Sequence, residues 1–383
     1  MEITHIRAGA LADPAVDVLL DEIVDFDRRI NRALGYGEDF DPLPGSVRSK
    51  LVRTDEFTSH EIWLGRVDGR LVAKAGAYLS LQDNTDVADV YAGVLPERRR
   101  SGLGTELLTV MERHLGDAGR TRLNAWCEVP AADFDADPRR PRIAAAAGTG
   151  SLPAERAEVA FALRRGYGLQ QLERCSVANI QDSTSGAQGS SPGSVGSSPG
   201  NRATRLGETE RSAAGVGDRV GADDGYVIRT WAGPAPHEHV QSIALLRQRM
   251  STDVPGAADL QDEEIWNPAR VRALEADREQ AGGRTQTALA LHDGEGVGFT
   301  EVVSYAQRPH VAFQGATLVV REHRGHGLGA RLKSSNHAAL LEGSEVERVY
   351  TWNAAENSWM LAINERAGFE VVGWVGLWKK ILA

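Results

Sequence analysis

The chain has 383 residues, of which 42% are hydrophobic and 25% charged, a globular composition with room for two domains. A net charge of −10, with basic residues gathered only at Arg98-Arg99-Arg100 and between Arg321 and Arg331, argues against a nucleic-acid partner. Only Cys127 and Cys175 occur, Met1-Glu2-Ile3-Thr4-His5 has no signal pattern, and no apolar run approaches about 18 residues; the expectation is a cytoplasmic protein without disulfides or a membrane partner.

In chain order, residues 2–7 alternate as an edge strand. From Pro14 onward, Val18, Leu19, Ile23, Val24, Phe26 and Ile30 recur at helical spacing, and a second helical stretch covers 47–54. Strands at 62–67 and 71–79 flank Asp68-Gly69, a hairpin signal. A strand at 89–95 runs into Pro96-Glu97-Arg98-Arg99-Arg100-Ser101-Gly102-Leu103-Gly104 and a helix over 105–115. Residues 131–153, rich in Asp, Pro, Arg and Ala, read as an inserted loop before Gly166-Tyr167. From 181 to 224 the chain turns to Ser, Gly, Pro and Gln and cannot bury enough apolar surface to offset its entropy, so a flexible linker is expected. A strand at 226–231 follows, then helices at 237–250 and 268–280, the latter capped by Asn267 with Pro268 at its first position. Strands at 287–292 and 297–306 flank Asp293-Gly294, and a further strand covers 311–320.

The second half repeats the first. Gly327 lies 225 positions beyond Gly102, as Gly294 does beyond Gly69, and Trp352 matches Trp126. The richest chemistry lies where the strand ending at Val320 turns through Arg324, Gly325, His326 and Gly327 into a helix opening with Leu328, Gly329 and Ala330. Backbone N–H groups at a helix start point at one anion. Gly327 and Gly329 let backbone approach a phosphate, and Arg324 and His326 add positive charge. Each charge-assisted hydrogen bond contributes roughly 1.5–3 kcal/mol and the helix dipole about 0.3–1 more, enough to hold a diphosphate. A Rossmann turn is disfavoured by the glycine spacing, and a Walker loop by the missing Gly-Lys-Ser/Thr. Arg99, Gly102 and Gly104 keep the same loop in the first half.

Arg-x-x-Gly-x-Gly between strand and helix, present twice, is followed by a strand, Asn353-Ala354-Ala355-Glu356-Asn357, a helix and Ala367-Gly368-Phe369. The series resembles the GNAT superfamily of N-acyltransferases, and in particular its bacterial tandem-domain acetyltransferases. The resemblance implies an α/β (α+β) fold class: GNAT-like domains at 1–180 and 225–383, joined by the linker 181–224. Each would be a mixed, mostly antiparallel sheet with helices on both faces, splayed at the acetyl-CoA strand. It further implies acetyl-CoA as co-substrate, with backbone groups of Leu318, Val319 and Val320 binding pantetheine, the loop binding phosphates, and Asn353 and Asn357 on the coenzyme side.

The activity implied is transfer of acetyl to an amine of a small molecule; a non-catalytic acyl-CoA-binding or scaffold protein and a protein N-acetyltransferase are the alternatives. An alkylammonium must lose a proton before it attacks, so a base is needed. Glu301 on its strand is the candidate base, and Tyr305 the candidate acid or substrate wall; a solvated strand position is the bland use of Glu301. The tyrosine that many family members place before the Gly-Phe pair is Asn364 here and Ala162 in the first half. Because the second half keeps Asn357, whereas the first has Glu155, the second half is expected to be catalytic and the first degenerate. No metal is expected at the site.

Overall fold

Alternation along β2 (Thr58–Val67) sets the layers of the first half. Ile62 and Leu64 pack against α1 (Asp13–Ala33) and α2 (Pro44–Val52), through Val16, Ile23, Phe26, Val47 and Leu51. Trp63 points the other way, onto Leu107, Leu108, Met111 and Leu115 of α3 (Leu103–Asp117). Those four recur at helical spacing, so one stripe of α3 is apolar. The structure, a computed structural model, describes residues 1–35, 37–134, 139–146, 148–180, 217–220, 224–253 and 262–382.

The first half continues the pattern with β1 (Glu2–Arg7), β3 (Arg70–Ser80), β4 (Val87–Val94), β5 (Arg122–Pro130), α4 (Ala131–Phe134), the short strands β6 (Arg142–Ala144) and β7 (Ser151–Pro153), α5 (Ala157–Arg164) and β8 (Gly168–Asn179). The second half contains β9 (Gly217–Val220), β10 (Tyr226–Ala232), α6 (Val240–Asp253), α7 (Pro268–Gln280), β11 (Gly283–His292), β12 (Glu295–Tyr305), β13 (Arg308–Val319), α8 (Leu328–Leu341), β14 (Arg348–Ala354), α9 (Ser358–Arg366) and β15 (Glu370–Ile381). Both expected hairpins form, with positive φ at Asp68 and Gly69 and again at Asp293 and Gly294, the conformation a two-residue turn of this hand requires.

Each half is the expected mixed, mostly antiparallel sheet: among the described strands only β4–β5 and β13–β14 pair in parallel. The halves are nevertheless joined into one 13-stranded sheet in the order β1-β2-β3-β4-β5-β15-β8-β14-β13-β12-β11-β10-β9. At the centre the last strands are exchanged. β15, from the end of the chain, pairs along β5 from Gly373 opposite Pro130 to Ile381 opposite Arg122, while β8 of the first half pairs with β14. Trp378 of β15 is consequently buried in the first half's core.

A polar latch adds to this join. Asp39 accepts from Arg348 Nε and Nη2 at 2.9 and 3.0 Å and from the Tyr350 hydroxyl at 2.7 Å. Arg308 donates to the carbonyls of Asp39 and Asp41, and Phe40 sets its ring edge-on to Tyr350.

Two expectations are corrected. The stretch 131–153 is more than a loop: α4 and the β6–β7 hairpin form there, because Leu152 and Phe134 have apolar surface to bury against the first core. Residues 217–220, expected in the linker, pair with β10 as an edge strand; 181–216 and 221–223 of that linker lie outside the described residues. No described helix is long and apolar enough to cross a membrane.

Candidate active site

The parallel pairing of β4 with β5 runs only from Val87–Arg122 to Val90–Ala125. β5 pairs with β15 on its other edge from Arg122 to Pro130, and beyond Val90 the edge of β4 from Tyr91 to Val94 faces a gap. The chain then turns through Arg100, at φ 64°, and Gly102, at φ 86°, into α3, whose start has no side-chain cap. Among the described residues no internal acceptor meets the N–H groups of Ser101, Gly102, Leu103 or Gly104. A Cβ at Gly102 would meet nothing within 4 Å, so there is open room over the helix start. Arg99 Nε donates to the Val94 carbonyl at 3.1 Å and pins the loop to the strand.

Against these free amides lies a cavity of about 570 Å³, lined by 90–94, by Arg98 to Arg100, by Gly102 to Thr105, and by Trp126 and Glu128 of β5. Its lining includes polar groups: Lys74 bonds to Asp27, and the hydroxyl of the lining residue Tyr91 lies 3.1 Å from His60 Nε2. Burial lowers His60 to about 3, which keeps that ring neutral.

The second half repeats the backbone and alters the surroundings. β13 and β14 pair in parallel only from Val311–Arg348 to Phe313–Tyr350, Gly325 and Gly327 have φ of 89° and 68°, and Arg324 Nε reaches the Val319 carbonyl at 3.0 Å. The amides of Gly325, His326, Gly327, Leu328, Gly329 and Ala330 likewise have no internal acceptor among the described residues. The cations beside them are engaged: Arg324 pairs with Asp253 at 3.1 Å and Arg331 with Asp224 at 2.6 Å. Leu318 is buried, and the Val320 N–H is spent on the Val297 carbonyl.

Asn353 and Asn357, expected on the coenzyme, are tied up internally. Asn353 accepts from Asn364 at 2.5 Å, Asn364 accepts from the buried Lys333 at 2.6 Å, and Asn357 caps α9 by accepting from the Met360 N–H at 3.2 Å. The position where the family's tyrosine is expected is thus filled by a Lys-Asn-Asn chain.

Glu301 does not fit the role of base. It is buried, and its two oxygens accept four hydrogen bonds: from Arg247 Nη2 at 2.7 and 2.5 Å and from Arg278 at 2.8 and 3.0 Å. Burial pushes its carboxyl up, but the charges of Arg247 and Arg278 outweigh that and hold it far below the usual carboxylate range. Such a group has neither a free lone pair nor the basicity to take a proton near neutrality. The cavity beside it is about 20 Å³, too small for an acceptor molecule. Tyr305 pairs with Arg308 at the far end of the β12–β13 ladder from Gly298–Val319, roughly 20 Å from the second loop at 3.3 Å per residue.

Sequence reasoning missed Glu128. It lines the large cavity on the same strand face as Trp126, and burial pushes its carboxyl up to about 7. The only sequence signal is its place two residues beyond Trp126, on the same face of a strand. Burial raises Cys127 to about 12, and Trp378 Nε1 donates to its sulfur at 3.0 Å, so it is no nucleophile. Trp378 also lines the cavity, a contribution from the chain end.

Residues 34–136 match the model of the acetyltransferase (GNAT) family. No match is found among curated proteins. Among solved structures, a tandem GNAT protein from the clavulanic acid biosynthesis pathway is similar over 99% of this chain and 98% of its own, at 24% identity and a TM-score of 0.68. A GCN5-related N-acetyltransferase from Sphaerobacter thermophilus is similar over 98% and 95%, at 15% identity and a TM-score of 0.57. Residues 34–136, which include the free amides and most of the cavity wall, are therefore part of a GNAT-family acetyltransferase domain, and the chain as a whole has the tandem GNAT fold.

Proposed function

We propose that the chain transfers acetyl from acetyl-CoA to a primary amine of a small molecule, and that the first half, residues 1–180, holds the coenzyme. The observation that carries this reading is the 570 Å³ cavity set against the unpartnered amides of Ser101 to Gly104. Its volume is in the range of small-molecule sites. The residues fit the coenzyme. Gly102 leaves open space for a phosphate, Arg98 to Arg100 form no ion pair among the described residues, and the unpaired edge from Tyr91 to Val94 presents backbone groups to a pantetheine arm. Bound acetyl-CoA supplies an activated acyl thioester. Glu128, with an affinity for protons poised near neutrality, takes the proton that the attacking ammonium must lose.

This reading moves the work from the half favoured by sequence to the other one. At the loop of the second half, residues 225–383, Asp253 and the preceding Asp224 neutralise the loop arginines and set negative charge beside any phosphate. We assign that half a supporting role, in which it completes the central sheet through β15.

The test compares Gly102→Val with Gly327→Val by calorimetric titration of acetyl-CoA and by thiol release over a panel of amines. Both glycines have positive φ, so both variants carry similar backbone strain. Loss of roughly tenfold or more in affinity for Gly102→Val, with Gly327→Val near wild type, supports the reading. The reverse pattern overturns it, and coenzyme binding without thiol release for any amine favours the acyl-CoA-binding alternative.

A further inference from the structure

We infer that His5, Glu61 and His114 form a site for one divalent transition-metal ion, on the sheet face that α3 covers. His5 lies on β1, Glu61 on β2 and His114 in the last turn of α3. The β1–β2 register sets His5 opposite Trp63 and Arg7 opposite Glu61, so all four side chains share the face toward α3. One donor atom from each of His5, Glu61 and His114 lies within 4.8 Å of the others. His5 Nε2 is 2.8 Å and His114 Nε2 3.0 Å from the same carboxylate oxygen, Oε2 of Glu61.

Three features prepare this group for a cation. The Arg7 Nε sits 3.3 Å from the other oxygen, Oε1, which fixes the carboxylate and leaves Oε2 to the imidazoles. The His5 ring stacks on Trp63 with centroids 4.6 Å apart, and His114 meets the same indole edge-on at 5.5 Å, so both rings are oriented by one buried aromatic. Glu61 is 5% exposed while His5 and His114 are 34% and 41% exposed, so a buried carboxylate has an open approach and a position for water as a fourth ligand.

The chemistry of the donors narrows the ion. Two imidazoles and one carboxylate suit zinc and its first-row neighbours, with bonds of about 2.0–2.2 Å, and not magnesium or calcium, which take oxygen shells. His114 is at the C-terminal end of α3, where the helix dipole favours positive charge. Arg7 and Arg120, whose charges face Glu61, work against the ion. A bound ion would clip the edge strand β1 to the helix whose other end carries the coenzyme loop.

The test uses the untagged full chain after chelator treatment, titrated with Zn²⁺ and Co²⁺ and followed by calorimetry, Co²⁺ visible absorption and thermal denaturation. One equivalent should bind and raise the melting temperature. His5→Ala and His114→Ala should each weaken binding by roughly tenfold or more, as first-contact ligands cost at least as much as their supports. Both side chains are partly exposed, so the variants should keep wild-type circular dichroism and acetyl-CoA affinity. His292→Ala serves as control, because His292 and His323 form a separate ring cluster with Tyr226. Absence of binding, binding indifferent to His5→Ala and His114→Ala, or binding lost with His292→Ala overturns the proposal.

Discussion

Replacing Glu301 by Gln distinguishes a structural carboxylate from a catalytic one. The substitution keeps the shape and removes the charge that faces Arg247 and Arg278, both largely buried; Arg247 also lies over the rings of Trp266 and Phe299, a site with little room for water. Breaking a buried ion pair from one side costs about 3–5 kcal/mol, because the remaining charge is left uncompensated. At about 2–4 °C per kcal/mol for a domain of this size, the melting temperature should fall by roughly 10 °C. The pH dependence has a definite sign. Since the folded-state carboxyl is held far below its unfolded value, the stabilisation is complete above about pH 4.5 and is lost as pH falls toward the folded value. Differential scanning calorimetry and steady-state thiol release on the same preparation decide the matter. A variant that melts within about 2 °C of wild type yet loses activity by a factor of about 10² or more would refute the reasoning and restore Glu301 as the base.

Glu128→Gln should lower kcat by about 10²–10⁴ and remove an inflection near pH 7 below which wild-type activity falls, as read from a pH–rate profile. Glu173, pushed up to about 7 by burial and then by Glu356, binds its proton more tightly folded than unfolded; its carboxylate therefore destabilises the fold as pH rises from about 4.5 to 7. Urea titrations should show Glu173→Gln about 1–3 kcal/mol more stable than wild type at pH 8 and equal to it at pH 4. Asp39→Asn weakens charge-assisted bonds across the join and should cost about 2 kcal/mol, and the loss should shrink when Arg348 is also replaced by Met. A chain ending at residue 180 lacks β15 and leaves β5 unpaired beyond Ala125, so size-exclusion chromatography should find it aggregated or self-associated; a folded monomer would contradict the exchange.

Local chemistry made much of this legible from sequence. The Asp68-Gly69 and Asp293-Gly294 turns, the apolar stripe of α3, and the strand-glycine-helix passage at Gly102 and Gly327 are each specified by neighbouring residues, and the 225-residue offset tied them together. What was not legible depends on contacts distant in the chain. Nothing near Glu301 in sequence announces Arg247 and Arg278, so an ion-paired carboxylate read as a free one. The two loops have similar local sequence, and what separates them lies elsewhere in the chain: Asp224 and Asp253 beside the second loop, and the cavity beside the first. His5, Glu61 and His114 come from three separate elements, with no spacing that a linear reading associates with metal ligands.

The exchanged strands tie the timing of one end of the molecule to the other. Trp378, one of the residues that wall the cavity, follows β8 by roughly 200 positions, so during translation the rest of the first half emerges well before the segment that seals its cavity. At about 5–20 residues per second, the roughly 200 residues that follow β8 leave a nascent first half unsealed for about 10–40 s. A frameshift or protease cut near residue 370 would then disable a pocket whose other walls lie more than 200 positions upstream, and the damage would register as lost coenzyme affinity before any change in the loop itself.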